Sequence, residues 1–493
     1  MLPDAVQQAL ETADSTINKA IEENHLPGIG IGLVYQGVPI YAKGFGLADV
    51  RQDVSVTAET VFRIASISKT FAAIALMQLW EQGKFDLHAP VNDFLKGYKV
   101  QHKGSQPITF HHLLTHTAGL GEFASLWKYL SPVAHFNVVL PGGAVPELRK
   151  LYGRTLHAER PAGEKWCYAN NGFATVGQLV ADISGQSFPE YVRDHILVPL
   201  GMETADFWRS PRVKPKLAIG YKYNKKRSQF KAVPDLEQIT VAAGSMNASI
   251  NDMTRYVAAL MNGGCNEFGQ VLKPETLEMM YTPQFQLDPR LQGMGYAFKV
   301  DDWGGHRVVS HDGLWLGFIS SMFVAPDAEL GVVALTNSAS GAAIYVAFQL
   351  LQRALNTSSR PLKKAPVAEP PEKPELWPEL VGFYAPTPGW NTNFRLWQQY
   401  GNEFEVYVDG EKLHIRSNWG GWKQGYLLKP ADADDPLSFV VGSTPVIFRR
   451  TAVGGMTLLK GLHRLEKRPY SQSIRRKLDQ FGISKLLNYK KRP

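Results

Sequence analysis

The pattern of apolar and polar positions divides the 493-residue chain into a first block with β-rich ends around a helical middle and a second block that is mostly β-rich. Over residues 4–23, Val6, Leu10, Ile17 and Ile21 recur at helical spacing, which predicts an amphipathic helix. GIGIGLVY and VPIYAKGFG follow, separated by Gln36-Gly37, and read as a hairpin. From about residue 70 helical periodicity takes over in TFAAIALMQLWEQG, FATVGQLVADISG and INDMTRYVAALMNGG, each closing on glycine as helix C-termini commonly do. Strand character returns near residue 295 in YAFKV, HRVVSHDG, FISSMFVAP and LGVVALTN, and AAIYVAFQLLQRAL closes the block with a helix. The economical fold is α/β (α+β): an antiparallel sheet drawn from both ends of the block, flanked by helices, with a helical lobe inserted.

Six prolines between residues 357 and 378 mark a stiff, extended linker. Beyond it, EFEVYVDGEKLHIRSN reads as strand, Asp409-Gly410 turn, strand, and SFVVGSTPVIFRR and MTLLKGLHRLEKR continue the alternation. Trp390, Trp397, Trp419 and Trp422 offer large apolar surfaces to such a module. The expected organisation is a first domain over 1–356, the linker over 357–378, a small all-β barrel over 379–470, and a basic helix or tail over 471–493.

Composition excludes a disordered or fibrous chain, with 44% hydrophobic and 20% charged residues. The net charge of +8 is local: residues 460–493 hold eleven Lys and Arg against two acids, leaving the rest of the chain near neutral. Such a tail suits weak contact with an anionic surface, its ordinary reading being a solvated charge run, and no specific nucleic acid is expected. Two cysteines exclude a disulfide framework and leave a single bridge open. The N-terminus lacks a basic start followed by an apolar core, and apolar runs reach about ten residues, half of what a membrane span needs. The chain as it stands is expected to be soluble and cytoplasmic, or periplasmic or secreted if a leader has been removed. There is no zinc-ligand spacing, no G-x-S-x-G and no phosphate loop, so no metal and no cofactor is expected; His112 and His116, four apart, read as packing residues.

The stretch that carries chemistry is FRIASISKTF. Ser66 and Lys69 form an S-x-x-K element where strand-like sequence gives way to a helix, and residues i and i+3 share a helix face, so the amine can reach and activate the hydroxyl. The pattern recurs at Ser125–Lys128 and gains meaning only with two further elements. Tyr168-Ala169-Asn170 lies in a loop before a helix; a tyrosine beside a lysine can act as general base, and Asn170 can bind a substrate amide (Tyr400-Gly401-Asn402 matches the bare pattern too). His311-Asp312-Gly313 lies on an expected inner strand, where Gly313 permits close approach and lets the Leu314 amide aim at a carbonyl oxygen.

With FRIASISKTF, LLTHTAGL, PAGEKWCYANNGF, ISGQSFPEYVRDHILVPLGM, AAGSMNASINDM and the HDG strand in this order, residues 10–355 resemble the serine β-lactamase-like and penicillin-binding-protein-like hydrolases. The resemblance is to the class C β-lactamase branch, which includes D-aminopeptidases, D-Ala-D-Ala carboxypeptidases and family VIII esterases. It implies Ser66 as nucleophile, Lys69 and Tyr168 as the proton-handling pair, Asn170 as substrate contact, and the amides of Ser66 and Leu314 as the oxyanion hole. The branch's classical members carry Lys-Thr-Gly where this chain has His311-Asp312-Gly313, and that lysine holds a substrate carboxylate. The expected function is therefore a serine hydrolase acting through a Ser66 acyl-enzyme on small or short-peptide esters or amides, with weak activity on penicillins. The alternative is a non-catalytic acyl trap or binding protein on the same fold. Appended β domains in the family resemble lipocalin-like modules that cover the active-site mouth or mediate homo-oligomers; a passive stabilising role is the other reading.

Overall fold

The computed structural model describes residues 2–121, 137–140, 143–357, 370–386, 403–418, 420–452, 454–473 and 476. The second S-x-x-K match, the Tyr400-Gly401-Asn402 match, Trp390, Trp397 and Trp419, most of the linker and nearly all of the expected basic helix lie outside them. The chain forms two compact units, Met1–Phe285 with Met294–Ser358, and Gln286–Gly293 with Ser359–Pro493.

The first unit is built on a sheet drawn from both ends of its sequence, as expected. Its described strands run in the order Gly293–Met294, Lys299–Trp303, His306–Trp315, Phe318–Ala325, Leu330–Thr336, Gly28–Tyr35, Val38–Asp49, Val54–Ser55. The N-terminal hairpin joins the later strands through antiparallel pairing of Ile29 with Thr336. Gln36 and Gly37 form its two-residue loop, both at positive φ, the conformation whose twist matches the strands.

Alternation in GIGIGLVY explains how the two faces are covered. Ile29, Ile31 and Leu33 point to one face, where they pack with the N-terminal helices and the Ala342–Ala354 helix. On the other face the glycines leave room for the Ile250–Met261 helix. A Cβ on Gly30 would lie 2.6 Å from Ile250 Cγ1, and one on Gly32 would lie 2.4 Å from Thr254 Cγ2. That helix adjoins Ser68–Glu81, in which every residue from Ser68 to Met77 is buried, so it runs through the core and shows no polar stripe.

Two local expectations are corrected. The single helix over 4–23 is two, Asp4–Glu11 and Ala13–Asn24, which meet at Thr12, whose hydroxyl donates to the Gln8 carbonyl at 2.8 Å. In YAFKV the strand begins only at Lys299, since Ala297 adopts positive φ.

The second unit contains a nine-stranded antiparallel sheet whose two end strands, Tyr426–Leu427 and Lys429–Pro430, are neighbours in sequence; it is a nearly closed barrel. Its first strong hairpin pairs Asp409 with Lys412, so the turn residues are Gly410 and Glu411, one position later than the Asp409-Gly410 reading. Residues 286–293 belong to this unit, where Arg290 bonds Asp288, Asp432 (3.0 Å) and Asp435 (2.6 Å), Arg449 meets Asp288 at 2.6 Å, and Leu291 is buried with Ile447 and Leu459. Among the described residues no helix is long and apolar enough to cross a membrane, and Cys167 and Cys265 are both free thiols.

Candidate active site

Strand Val61–Arg63 leads through Ile64 into a single 3₁₀ turn, Ala65–Ile67, and then into the Ser68–Glu81 helix. Ser66 therefore sits on the turn ahead of the helix that carries Lys69. Ala65 has φ 48°, a left-handed conformation that costs a non-glycine residue of order 1–3 kcal/mol and persists only when its surroundings hold it. They do: the Ser68 hydroxyl donates to the Ala65 carbonyl at 2.6 Å and accepts from the Met246 amide at 3.1 Å, and the Ile64 amide donates to the Met246 carbonyl at 3.0 Å.

Lys69 is fully buried, and its Nζ lies 3.1 Å from Ser66 Oγ, 2.7 Å from Asn170 Oδ1 and 2.6 Å from the Ala243 carbonyl oxygen. Two of these partners only accept. A neutral amine can give one N–H to each and turn its lone pair to the Ser66 hydroxyl; an ammonium uses its third N–H there instead. Proton transfer between Ser66 and Lys69 thus reverses one hydrogen bond and leaves the others in place. Nζ also lies 4.7 Å from the centre of the Tyr168 ring and 5.9 Å from that of Phe173.

Tyr168 precedes the Asn170–Ser184 helix, whose first residue is Asn170. The His116 ring packs against Tyr168 with centroids 4.3 Å apart, and His116 Nδ1 accepts from the Ala169 amide at 3.3 Å. His116 thus supports the tyrosine. His112 caps the short Phe110–Leu114 helix through Thr109, and the two histidines share no helix face. Among the described residues no cluster of His, Cys, Asp or Glu has the makings of a metal site.

His311, Gly313 and Leu314 lie on His306–Trp315, an inner strand. A Cβ on Gly313 would stand 2.1 Å from the Ile64 carbonyl oxygen and 2.2 Å from Ser320 Oγ, so only glycine lets this strand lie against the backbone leading to Ser66. Ser320 closes the contact by donating to the Ile64 carbonyl at 2.7 Å. The His311 ring centre is 6.4 Å from that of Tyr168, and its Nδ1 lies 2.8 Å from the Asp312 carbonyl oxygen. Burial, joined by the nearby Lys69 and Lys299 amines, drives the imidazole well below its ordinary pKa. Asp312 faces the other way, to Lys299 at 3.0 Å and the Ser321 hydroxyl at 2.7 Å; burial pushes its carboxyl up, and these two partners outweigh burial and hold it low. Leu314 is exposed, as is Leu316 beyond it.

Ser66, Lys69, Tyr168, Asn170 and the His311–Gly313 strand are thus brought to one place. Three supports escaped the sequence reading: the Ala243 carbonyl, Ser320 and His116. AAGSMNASINDM and LLTHTAGL, already recognised as motifs, contain the first and third. Arg63 is a fourth. Its guanidinium is 2% exposed, bonds Glu237 at 2.8 Å, leaves Nε and Nη1 without hydrogen-bond partners among the described residues, and lies 5.6 Å from the centre of the Trp315 ring.

The Beta-lactamase family model matches residues 13–354. PbpX of Bacillus subtilis (strain 168), which carries a penicillin-binding-protein name, is 27% identical over 307 residues, 62% of this chain and 70% of that one. Protein flp of Staphylococcus aureus (strain MW2) is 24% identical over 327 residues, 66% of this chain and 62% of its own length, so this chain spans less than two thirds of that relative. Among solved structures, the octameric penicillin-binding protein homologue from Pyrococcus abyssi aligns with TM-score 0.61 and 25% identity, covering 93% of this chain and all of that one. SurE aligns over 94% of this chain and all of its own with TM-score 0.60 and 21% identity, and SurE with D-Leu over the same shares with TM-score 0.56 and 20% identity; these two show the fold alone. The model match spans well over half of the 493 residues, and the chain belongs to the beta-lactamase family, with its serine hydrolase fold.

Proposed function

We propose that the protein is an acyl-transferring serine hydrolase, with Ser66 as nucleophile, that acts on esters and on amides lacking the carboxylate of penicillins. The observation that carries this reading is the buried contact between Lys69 Nζ and Ser66 Oγ, completed by two acceptors that hold the amine in either protonation state. In the first step Ser66 Oγ bonds the substrate carbonyl carbon while its proton passes to Lys69. The tetrahedral oxyanion is received by the amides of Ser66 and Leu314, each such donor contributing about 2.7–4 kcal/mol to lowering a barrier of this kind. Collapse breaks the bond to the leaving group, which takes the proton through Lys69 and Tyr168. Water then attacks the acyl-enzyme, its proton handled by the same pair, and releases the acid and free Ser66. Asn170 holds Lys69 and is placed to meet a substrate amide.

The exposed Leu314 and Leu316 favour an apolar group on the substrate, and the relative bound to D-Leu supports testing D-residues first. The octameric relative supports homo-oligomerisation. The test is a panel of p-nitrophenyl esters, D-aminoacyl anilides, D-Ala-D-Ala peptides and benzylpenicillin. Esters or D-anilides turned over well ahead of benzylpenicillin support the reading; benzylpenicillin turned over as fast as a short p-nitrophenyl ester overturns it. No turnover of any member, with stable labelling of Ser66, would identify an acyl trap.

A further inference from the structure

The near-neutral charge of the chain ahead of its tail conceals a local excess: from residue 207 to residue 234 nine Lys and Arg stand against no acid. Arg209, Arg212 and Lys216 are answered by Asp235, Asp206 and Glu59. Lys222, Lys225, Lys226, Arg227 and Lys231 are exposed and form no ion pair among the described residues. These five lie on one antiparallel ribbon of the first unit, Tyr221–Asn224 with Gln229–Ala232, and its loop. Alternation gives the ribbon two faces. Tyr221, Tyr223 and Phe230 make the inner one: the Phe230 ring centre is 6.2 Å from that of Tyr221 and 5.2 Å from that of Tyr223, and the His25 ring stacks on Tyr223 at 4.1 Å. Lys222 and Lys231 are on the outer face and pair directly across the strands. Like charges opposite one another repel, so this pairing costs stability. The loop adds three cations: the Asn224 side-chain oxygen accepts from the Lys226 amide at 3.1 Å, a local turn that leaves Lys225, Lys226 and Arg227 in solvent.

What lies beside the ribbon narrows the partner. At its root the Val233 amide donates to the Gly220 carbonyl at 2.9 Å, and this root packs on the turn that follows the His306–Trp315 strand. A Cβ on Gly317 of that turn would lie 2.6 Å from Val233 Cγ2 and 2.9 Å from Gly220 Cα. Leu316, the preceding residue, is exposed. Cations beside an exposed leucine suit a lipid interface, where ammonium groups meet headgroups and the apolar side chain enters the acyl boundary. A single-stranded nucleic acid is held by exposed aromatic rings on which bases stack, and here the ribbon's rings face inward.

We propose that the ribbon over 221–232, with Leu316, is a docking surface for a phospholipid bilayer carrying anionic headgroups. Its five cations fall within the roughly four to eight that recognition of anionic lipid uses. Headgroup phosphates answer the repulsion between Lys222 and Lys231 that the described residues leave unanswered. The proposal does not depend on the role of Ser66.

The test is co-sedimentation of the full chain with phosphatidylcholine vesicles, with and without phosphatidylglycerol, for the wild type and three variants. The ribbon variant combines Lys222→Gln, Lys225→Gln, Lys226→Gln, Arg227→Gln and Lys231→Gln. The tail variant combines Arg475→Gln, Lys477→Gln, Lys485→Gln, Lys490→Gln and Lys491→Gln, so both lose the same charge. The third is Leu316→Ser. The wild type is expected to bind the vesicles that contain phosphatidylglycerol, and the ribbon variant to bind them about thirtyfold more weakly, the worth of two cations near an anionic surface. The tail variant is expected to lose less than the ribbon variant. Leu316→Ser is expected to weaken vesicle binding and to leave retention by a double-stranded oligonucleotide as in the wild type. Thermal unfolding monitors the fold, and the ribbon variant is expected to unfold no earlier than the wild type, since a repulsion has been removed. Should it unfold earlier, the loop variant Lys225→Gln, Lys226→Gln reads the same loss. No binding by the wild type, equal binding by the wild type and the ribbon or loop variant, or a loss in the tail variant as large as in the ribbon variant overturns the proposal. So does vesicle binding unmoved in Leu316→Ser, which assigns the surface to a soluble polyanion instead.

Discussion

Gly313 shows how little slack the site has at the scale of single residues. A methyl group there would meet the Ile64 carbonyl oxygen, which is backbone, at 2.1 Å, so the strand carrying His311 and Leu314 must move away from Ser66. Gly313→Ala is expected to lower kcat by about a hundredfold, the usual effect of a displacement near 1 Å in a reacting site. Overpacking there is expected to cost about 1–3 kcal/mol of stability. Steady-state kinetics beside denaturant titration checks both, and an unchanged kcat would contradict the close approach. Ser66, Lys69, Tyr168, Asn170 and His311 were picked out because three short motifs, each weak alone, stand together in the order of a known family. The Ala243 carbonyl was not legible: every residue has a carbonyl, and only the fold decides which one meets Lys69. Ser320 and His116 were hidden for a related reason, since a buried serine or histidine reads as packing until its partner is known.

At the scale of elements, the nucleophile turn depends on the short strand before it. Arg63 on that strand is buried against Glu237 and beneath Trp315, and burial lowers its pKa. Glu237→Gln leaves the guanidinium without its closest counter-charge and is expected to destabilise the protein by about 3–5 kcal/mol. The double variant Arg63→Met, Glu237→Met is expected to recover most of that loss. Chemical denaturation of the three proteins decides, and a single variant within about 0.5 kcal/mol of wild type would show that the pair is not needed. Helices and strands were read well where periodicity or β-branched runs dominate, as in Leu330–Thr336 and Ile250–Met261. Boundaries failed where one residue breaks the pattern, as at Thr12 and Ala297. The glycines of GIGIGLVY give the same lesson in reverse: their meaning is the helix that lies on them, which no local window contains.

For the whole molecule, residues 286–293 are the feature that composition gave no hint of. They group with the barrel, where Asp288, Arg290, Asp432, Asp435 and Arg449 pair, charges spread over more than 160 positions of sequence. Burial raises the Asp288 and Asp435 carboxyl groups, but their arginine partners outweigh it and hold both below the ordinary aspartate pKa. A depressed carboxyl contributes stability that is complete above its unfolded pKa and is lost as pH falls through the folded value. The second unit is therefore expected to lose stability progressively below about pH 4, and Arg290→Ala is expected to flatten that acid limb. Thermal denaturation between about pH 2.5 and 6 checks this; an acid limb identical in wild type and variant would contradict it. The basic tail makes a separate expectation: retention on heparin that falls with salt and is lost on removing residues 474–493.

The account as a whole rests on the Ser66 hydroxyl as the group that takes up the acyl chain. Its most direct test is peptide mapping by mass spectrometry after rapid acid quench of the enzyme with a slowly turned-over ester. An acyl mass on the peptide containing Ser66, absent in Ser66→Ala and formed at least about a hundredfold more slowly in Lys69→Ala, is the expected result. An adduct on any other residue, or one that forms equally fast without Ser66 or Lys69, would contradict it.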